Sequence, residues 1–335
     1  MKDTSVSSYA AAGVNLTAAA EALTSITGLV ESTYTPGVLA GLGAFGGIFE
    51  LPGGYTEPVL VASTDGVGTK SMVAVKLGDH ASIGRDLVNH CVNDILVQGA
   101  KPLFFLDYVA SGRLSPRVVT QVVEGVASAC RDANMALLGG ETAEMPGVYR
   151  GSEIDIVGTI IGIAEKGGIV TGEHTQVGDV ILGFESGGLQ TNGFSLARAV
   201  LNDYFTDEFA GHTVGEALNA PHKSFKNAVE PLLAAGIVKG MAHITGGGLP
   251  GNVGRTIPGG LGAVIHRGSW PEPAIFGLIQ ERGEVSMDEM FTAFNMGVGF
   301  TVTVAKEHVA QAQELAGEPL HVIGAITDTP GVHIQ

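Results

Sequence analysis

The chain has 335 residues, 45% of them hydrophobic, which is enough to bury a large core in one or two globular domains and excludes intrinsic disorder. Asp and Glu outnumber Lys and Arg by 34 to 18; the resulting charge of -16 excludes a general nucleic-acid surface, which needs a basic stripe. The 50 glycines follow no G-X-Y period, which excludes collagen, and neither a signal-like start nor a membrane-length apolar run is present, so a soluble protein with no membrane partner is expected.

Up to residue 166 the pattern alternates between helical and strand periodicity. An Ala-rich helix is expected over 17–29, and strands over 59–62, 103–109, 135–138 and 154–164. Over 83–97, Ile83, Leu87, Cys91 and Leu96 share one face of an amphipathic helix whose other face carries Asp86, His90 and Asp94. Ser115 as cap and Pro116 in the first turn open a further helix over 115–133. Glycines and polar residues over 167–178 mark the boundary between two α/β halves, 1–166 and 167–335. The second half is expected to hold strands over 180–184, 261–266, 298–304 and 322–326. Its helices are one entered through Thr191-Asn192-Gly193 and two over 225–235 and 306–316. The two cysteines, Cys91 and Cys130, fall in apolar helical patterns without disulfide or metal spacing, which fits a reduced, cytoplasmic setting and a core role for Cys91.

Thr64-Asp65-Gly66-Val67-Gly68-Thr69-Lys70 puts an acid, two glycines, a hydroxyl and an ammonium directly behind the apolar run 59–62, a combination suited to a phosphate and its metal. A loop of the same character follows the strand over 135–138, where Gly139 and Gly140 lead into Glu141. Asn93 and Asp94 on a helix, with Asp65 and Glu141 at strand ends, supply the hard oxygen ligands that Mg²⁺ on a substrate phosphate prefers. Gly41-Leu42-Gly43-Ala44-Phe45-Gly46 satisfies G-x-G-x-x-G. Pro52, Gly53, Gly54 and Pro58 then occupy the interval where a dinucleotide-binding helix should follow, which argues against that reading. The segment 66–71 lacks the Gly-Lys-Ser/Thr of a P-loop, so ATP, if used, is bound by another fold.

His243-Ile244-Thr245-Gly246-Gly247-Gly248 admits two readings: a satisfied structural histidine, or a titratable ring beside backbone N–H groups open to an anion. His90 is open in the same way. Thr191-Asn192-Gly193-Phe194-Ser195 places polar groups at a helix start, a good phosphate position, with Arg198 one turn further along.

Taken together, the segment 64–70, Ile83-Gly84-Arg85-Asp86-Leu87, Cys91-Val92-Asn93-Asp94 and Pro102-Leu103-Phe104-Phe105-Leu106-Asp107-Tyr108 closely resemble the phosphoribosylformylglycinamidine cyclo-ligase (aminoimidazole ribonucleotide synthetase) family. Leu138-Gly139-Gly140-Glu141-Thr142-Ala143-Glu144-Met145-Pro146-Gly147, the segment 243–248 and Phe294-Asn295-Met296-Gly297-Val298-Gly299 follow in the same order, and the resemblance runs from Tyr9 nearly to Gln335. It implies a homodimeric two-domain α/β (α+β) fold. The N-terminal sheet would form a dimer-interface barrel with an ATP groove, and an α/β domain would follow.

The implied activity is ATP-dependent ring closure of formylglycinamidine ribonucleotide. The resemblance assigns Asp65, Asp94 and Glu141 to Mg²⁺. Gly66, Gly68, Thr69 and Lys70 would surround the ATP phosphates, with Asn93 and Gly140 beside them and the loop bearing Gly41, Gly43 and Gly46 over the nucleotide. Thr191, Asn192, Gly193, Ser195, His243, Thr245 and Gly246 would hold the substrate, and Asp65, Lys70, Asp94 and His243 would be catalytic.

Departures from the family pattern cluster near that substrate region. Gln190 stands where the family has His, His222 and Lys223 where it has Thr and Arg, Thr35 and Gly37 where it has Arg and Glu, and Gly251 where an acid is expected. Lys223 keeps the charge of arginine but not its bidentate fork. Thiamine-monophosphate kinase, selenophosphate synthetase and a hydrogenase maturation protein share the architecture. The C-terminal Gly331-Val332-His333-Ile334-Gln335 lacks the cysteine tail of the last, and no Cys precedes the first glycine loop as in many selenophosphate synthetases. The alternative is a catalytically silent or differently specific ATP-binding paralogue, whose only support is Gln190, His222 and Gly251.

Overall fold

Two hydrophobic cores are built in a computed structural model that describes residues 16–151 and 153–335. Tyr9, where the family resemblance begins, lies outside them. The cores correspond to two units interleaved in sequence. One comprises the chain up to Gly54 with Ala62–Cys91 and Pro102–Ile161; the other comprises Tyr55–Val61, Val92–Lys101 and Gly162–Gln335.

The first unit contains α1 (Leu16–Glu31), the short strands β1 (Val38–Ala40) and β2 (Ile48–Phe49), α2 (Ser71–Leu77) and α4 (Pro116–Asp132). Helix α3 (His80–Leu96) begins in it. The strands β3 (Pro58–Gly66), β4 (Lys101–Ser111), β5 (Ala136–Glu144) and β6 (Ile154–Glu165) form a sheet in the order β3-β6-β4-β5. β4 and β5 are parallel and joined through α4, the crossover that a parallel pair requires. Ala18, Ala22, Ile26 and Val30 recur every fourth residue on the buried stripe of α1, and α1 packs against α4. α3 and α4 cross so closely that a Cβ on Gly84 would lie 2.1 Å from Val122 O, and one on Gly125 2.0 Å from Ala81 O. Only glycine fits at either position.

The expected helices and strands of this half are present, with three differences. β3 runs on to Gly66, so Asp65 belongs to the strand and does not follow it. β5 also continues through the glycine segment: Gly139 to Glu144 pair with β4 after a register shift at Phe105/Leu106. Gly140 is therefore a strand residue, glycine because a Cβ would stand 2.0 Å from Asp107 Oδ1. Ser115 occupies the N-cap of α4 with extended backbone, but its side chain makes no capping bond.

The second unit adds β7 (Val180–Glu185), α5 (Phe194–Leu201), the hairpin β8 (Glu208–Phe209) and β9 (His212–Thr213), α6 (Val214–Leu218), α7 (Lys226–Ala234) and β10 (Val238–His243). It continues with α8 (Gly248–Gly254), β11 (Gly262–Ile265), α9 (Ala274–Gly283), α10 (Met287–Ala293), β12 (Val298–Val304), α11 (Val309–Ala316), β13 (Leu320–Thr327) and β14 (Gly331–Ile334). Its six-stranded sheet has the order β10-β12-β7-β13-β11-β14, antiparallel except for the parallel pair β11 and β14. Every residue of β12 is buried, as a central strand with both faces covered requires. Phe184, Phe225 and Phe300 form the aromatic centre of its core, with ring centroids 5.4 to 6.5 Å apart. β10 was not expected from the sequence, because Lys239 and Gly240 interrupt a short apolar run; it delivers His243 at its last position.

Candidate functional site

In the first unit, β3 carries Asp65 to its C-terminal end, where the side chain is 47% exposed. Asp65 Oδ1 accepts the Gly66 N–H at 2.6 Å, and Oδ2 lies 2.8 Å from Nε2 of the buried His90. The carboxylate is thus oriented from two sides while half of it faces solvent. A tight turn, Gly68–Lys70, follows with Gly68 at φ +62° and leads into α2. Lys70 does not face solvent: it is fully buried and ion-paired with the equally buried Asp86. The polar face of α3 turns one of its acids inward to meet this ammonium.

The G-x-G-x-x-G segment is an exposed loop between β1 and β2. Gly41 packs against Tyr34, whose hydroxyl accepts the Leu42 N–H at 2.7 Å, and Gly43 has φ +96°. Gly46 meets nothing within reach of a Cβ, and Phe45 beside it is fully exposed. Glu141 is exposed on β5 opposite Tyr108. Nearby on β4, burial pushes the Asp107 carboxyl up to about 7.

In the second unit a line of polar side chains runs from α3 to the start of α5. His243 Nδ1 lies 2.9 Å from Asp94 Oδ1, and its Nε2 lies 3.1 Å from Nε2 of His222. His222 Nδ1 is 3.2 Å from Thr191 Oγ1. Asn93 braces the line: Oδ1 accepts the Phe225 N–H at 3.0 Å, and Nδ2 donates to Lys223 O at 2.8 Å while lying 3.1 Å from His222 Nε2. His222 is 0% exposed and His243 6%, whereas Asp94 keeps 22% of its side chain accessible. A buried imidazole pair with an acid at one end and a hydroxyl at the other is suited to orienting and carrying protons.

Around this line, Gly193 caps α5 at φ +80° because a Cβ there would strike the Phe294 ring, and Asn192 stands beside Thr191. Ser195 is exposed on the first turn of α5. After β10, Gly247 and Gly248 both have positive φ, and a Cβ on Gly248 would lie 1.8 Å from Phe291 O. Asn252 pins the turn by donating to Gly248 O at 2.9 Å and to Thr245 O at 3.3 Å. Backbone conformation thus explains Gly247, and conformation with packing explains Gly248. Gly246 is exposed and unconstrained, open to a ligand.

Of the residues singled out from the sequence, Asp94, Asn93, His243 and Thr191 share one network in the second unit, and Asp65 pairs with His90 in the first. His90, Asp86, His222 and Asn252 were not among the expected site residues. His90 and Asp86 had a signal, lying one and two turns before Asp94 on the same helix face; Asn252 had none. Both amide atoms of Gln190 are buried without a hydrogen-bond partner, on a backbone with φ +63°.

Comparison with known proteins adds the family. Residues 47–164 match the model of the AIR synthase related protein N-terminal domain, and residues 176–335 that of the C-terminal domain. The phosphoribosylformylglycinamidine cyclo-ligase of Shouchella clausii is 48% identical over 339 residues, covering 97% of each chain. That of Gloeobacter violaceus is 46% identical, covering 97% of this chain and 98% of its own. Among solved structures, thiamine-monophosphate kinase from Stenotrophomonas maltophilia K279a has a TM-score of 0.69 at 18% identity, covering 93% of this chain and 96% of that one. A hydrogenase maturation protein HypE in complex with ATP has a TM-score of 0.66 at 19% identity, covering 89% and 84%. At such identities the two structures speak for the mixed α/β fold alone. The two domain models and the near-complete overlap with curated relatives place the chain in the AIR synthase related family, among the phosphoribosylformylglycinamidine cyclo-ligases.

Proposed function

We propose that the protein is an ATP-dependent ligase that closes formylglycinamidine ribonucleotide to 5-aminoimidazole ribonucleotide, releasing ADP and phosphate, in purine biosynthesis. The observation that carries this reading is kinship with cyclo-ligases over the length of both domains. The formamide oxygen of the substrate is a poor leaving group. Transfer of a phosphoryl group to it lets an amidine nitrogen attack the carbon and expel phosphate, chemistry that depends on positioning and charge neutralisation.

The donor chemistry fits Mg²⁺. Asp65, Asp94 and Glu141 offer hard oxygens with accessible surface, and the first two are each oriented by an imidazole, as ligating carboxylates usually are by a neighbour. Bound there, the cation would neutralise phosphate charge. Gly66, Gly68 and Thr69 supply backbone and hydroxyl donors to the ATP phosphates, with Asn93 and Gly140 beside them, and the loop bearing Gly41, Gly43 and Gly46 covers the nucleotide. Lys70 acts from behind, holding α3 through Asp86. Thr191, Asn192, Gly193, Ser195, Thr245 and Gly246 hold the substrate, and His243 moves its proton while Asp94 fixes the ring.

Residues 1–166 thus serve ATP and dimerisation, and 167–335 serve the substrate. Exposed Leu39, Phe45, Ile48, Leu51 and Leu106 in the first unit support a homodimer, and sedimentation showing monomer alone would overturn it. No described helix is long and apolar enough to cross a membrane. Both cysteines are buried and neither is in a disulfide, which supports a cytoplasmic setting. The deciding experiment incubates the protein with formylglycinamidine ribonucleotide, ATP and Mg²⁺ beside a control lacking ATP. ATP-dependent 5-aminoimidazole ribonucleotide is expected; ATP binding without product would refute the reading.

A further inference from the structure

His222 is fully buried in the second unit, and its two ring nitrogens meet three other polar side chains of the Asp94 network, on three different segments. The Asn93 amide cannot be flipped, since the Phe225 N–H requires an oxygen at 3.0 Å and Lys223 O requires an N–H at 2.8 Å. The second hydrogen on Nδ2 is therefore available to His222 Nε2, 3.1 Å away, and that nitrogen accepts. A neutral imidazole accepting at Nε2 carries its hydrogen on Nδ1, so Nδ1–H donates to Thr191 Oγ1 at 3.2 Å. His243 Nε2 is 3.1 Å from the same accepting nitrogen; two opposed lone pairs would repel, so the hydrogen lies on the His243 side. Asp94 Oδ1 lies 2.9 Å from the far nitrogen of that ring and, as a carboxylate, only accepts, so in this geometry both ring nitrogens of His243 donate.

We propose that His222 is a positioning residue of the substrate site, clamping the His243 ring from the side opposite Asp94. Its Nδ1–H makes the Thr191 oxygen an acceptor, which directs the threonine O–H elsewhere. The role rests on the proposed assignment of His243 and Thr191 to the substrate. Its two arms are separable by chemistry. His222→Gln keeps a polar atom near the Nε2 position and loses the Thr191 arm, His222→Asn keeps one near Nδ1 and loses the His243 arm, and His222→Leu loses both.

The test combines long-range ¹H–¹⁵N imidazole spectra of the full-length histidine-labelled protein with kcat and KM for each variant. The expected spectrum has His222 protonated at Nδ1 and unprotonated at Nε2. His222→Asn should lower kcat about 10- to 100-fold, the cost of a small misplacement of a reacting group, with the KM for ATP unchanged. His222→Gln should keep kcat and raise the KM for formylglycinamidine ribonucleotide, and His222→Leu should show both defects. A wild-type spectrum with the hydrogen on Nε2 would overturn the clamp. So would wild-type constants in all three variants, or equal losses in Asn and Gln that follow lost thermal stability. Absence of cyclisation by the wild type refutes the substrate assignment and this role with it. That failure differs from the others because it precedes any substitution.

Discussion

The buried pair of Lys70 and Asp86 separates two accounts of a lysine that the sequence places beside a phosphate loop. Both side chains are 0% exposed, so neither charge is shared with water. Removing one partner takes the counter-charge from the other in the core, a loss of about 3–5 kcal/mol, whereas replacing both with apolar groups costs little. Lys70→Met and Asp86→Ala should therefore each lower the stability of the first unit by that amount, or Tm by roughly 6–20 °C for a cooperative unit of about 150–250 residues. The double variant should recover most of it, giving a coupling of several kcal/mol in a double-mutant cycle. The assay is thermal and urea unfolding of all four proteins, with ATP affinity measured on those that remain folded. If Lys70→Met unfolds like the wild type and loses only ATP affinity, the ammonium serves the nucleotide directly and the structural reading is wrong.

Three further outcomes follow from the geometry. Asp94→Asn should lower cyclisation by orders of magnitude with little change in Tm, since the side chain is partly accessible and an amide can still bond His243; unchanged kcat would remove Asp94 from the site. Gly125→Ala gains about 1 kcal/mol of helix propensity but forces a Cβ to 2.0 Å from Ala81 O. Overpacking of about 1–3 kcal/mol should win, and a urea midpoint at or above the wild type would show that α3 and α4 can separate freely. Asp107 has its folded pKa raised by burial from 3.8 to about 7, so between those values the folded state binds the extra proton. Stability should accordingly fall as pH rises through that window and level off above it. Asp107→Asn should flatten this slope in unfolding measured across the window, and an unchanged slope would place its origin elsewhere.

Much of the architecture was legible because its signals are local. The buried stripe of α1, the apolar face of α3 and the uninterrupted run of β12 each encode their period within a few residues. What failed was reading glycine as punctuation. Gly139 and Gly140 suggested a turn after 135–138, yet β5 continues through them, and at Gly140 the reason is the proximity of Asp107 across the strands, a contact the local sequence does not contain. β10 was missed for the converse reason: Lys239 and Gly240 depress its local propensity, and pairing with β12 supplies the order.

The site divides along the same line. Asp65, Asp94 and His243 were readable as residue types in suitable segments, but the partner that orients each was not, because the partners lie 25 residues away in one case and 149 in the others. Lys70 shows what reading by type leaves out: an ammonium in a glycine turn suggests a phosphate, and the fold adds a buried acid beside it. His222 shows the reverse. As a departure from the family pattern it looks like erosion of a substrate contact, and together with Gln190 and Gly251 it gave the silent-paralogue alternative its support. In the fold, His222 instead completes an unbroken line from Asp94 to Thr191, with Asn93 fixing its orientation. An eroding site loses partners, and this position is fully engaged. The one unsatisfied side chain among the departures is Gln190, and it stands next to Thr191 at the far end of that line. If the site has been altered, the alteration should be sought at residue 190 and not at 222.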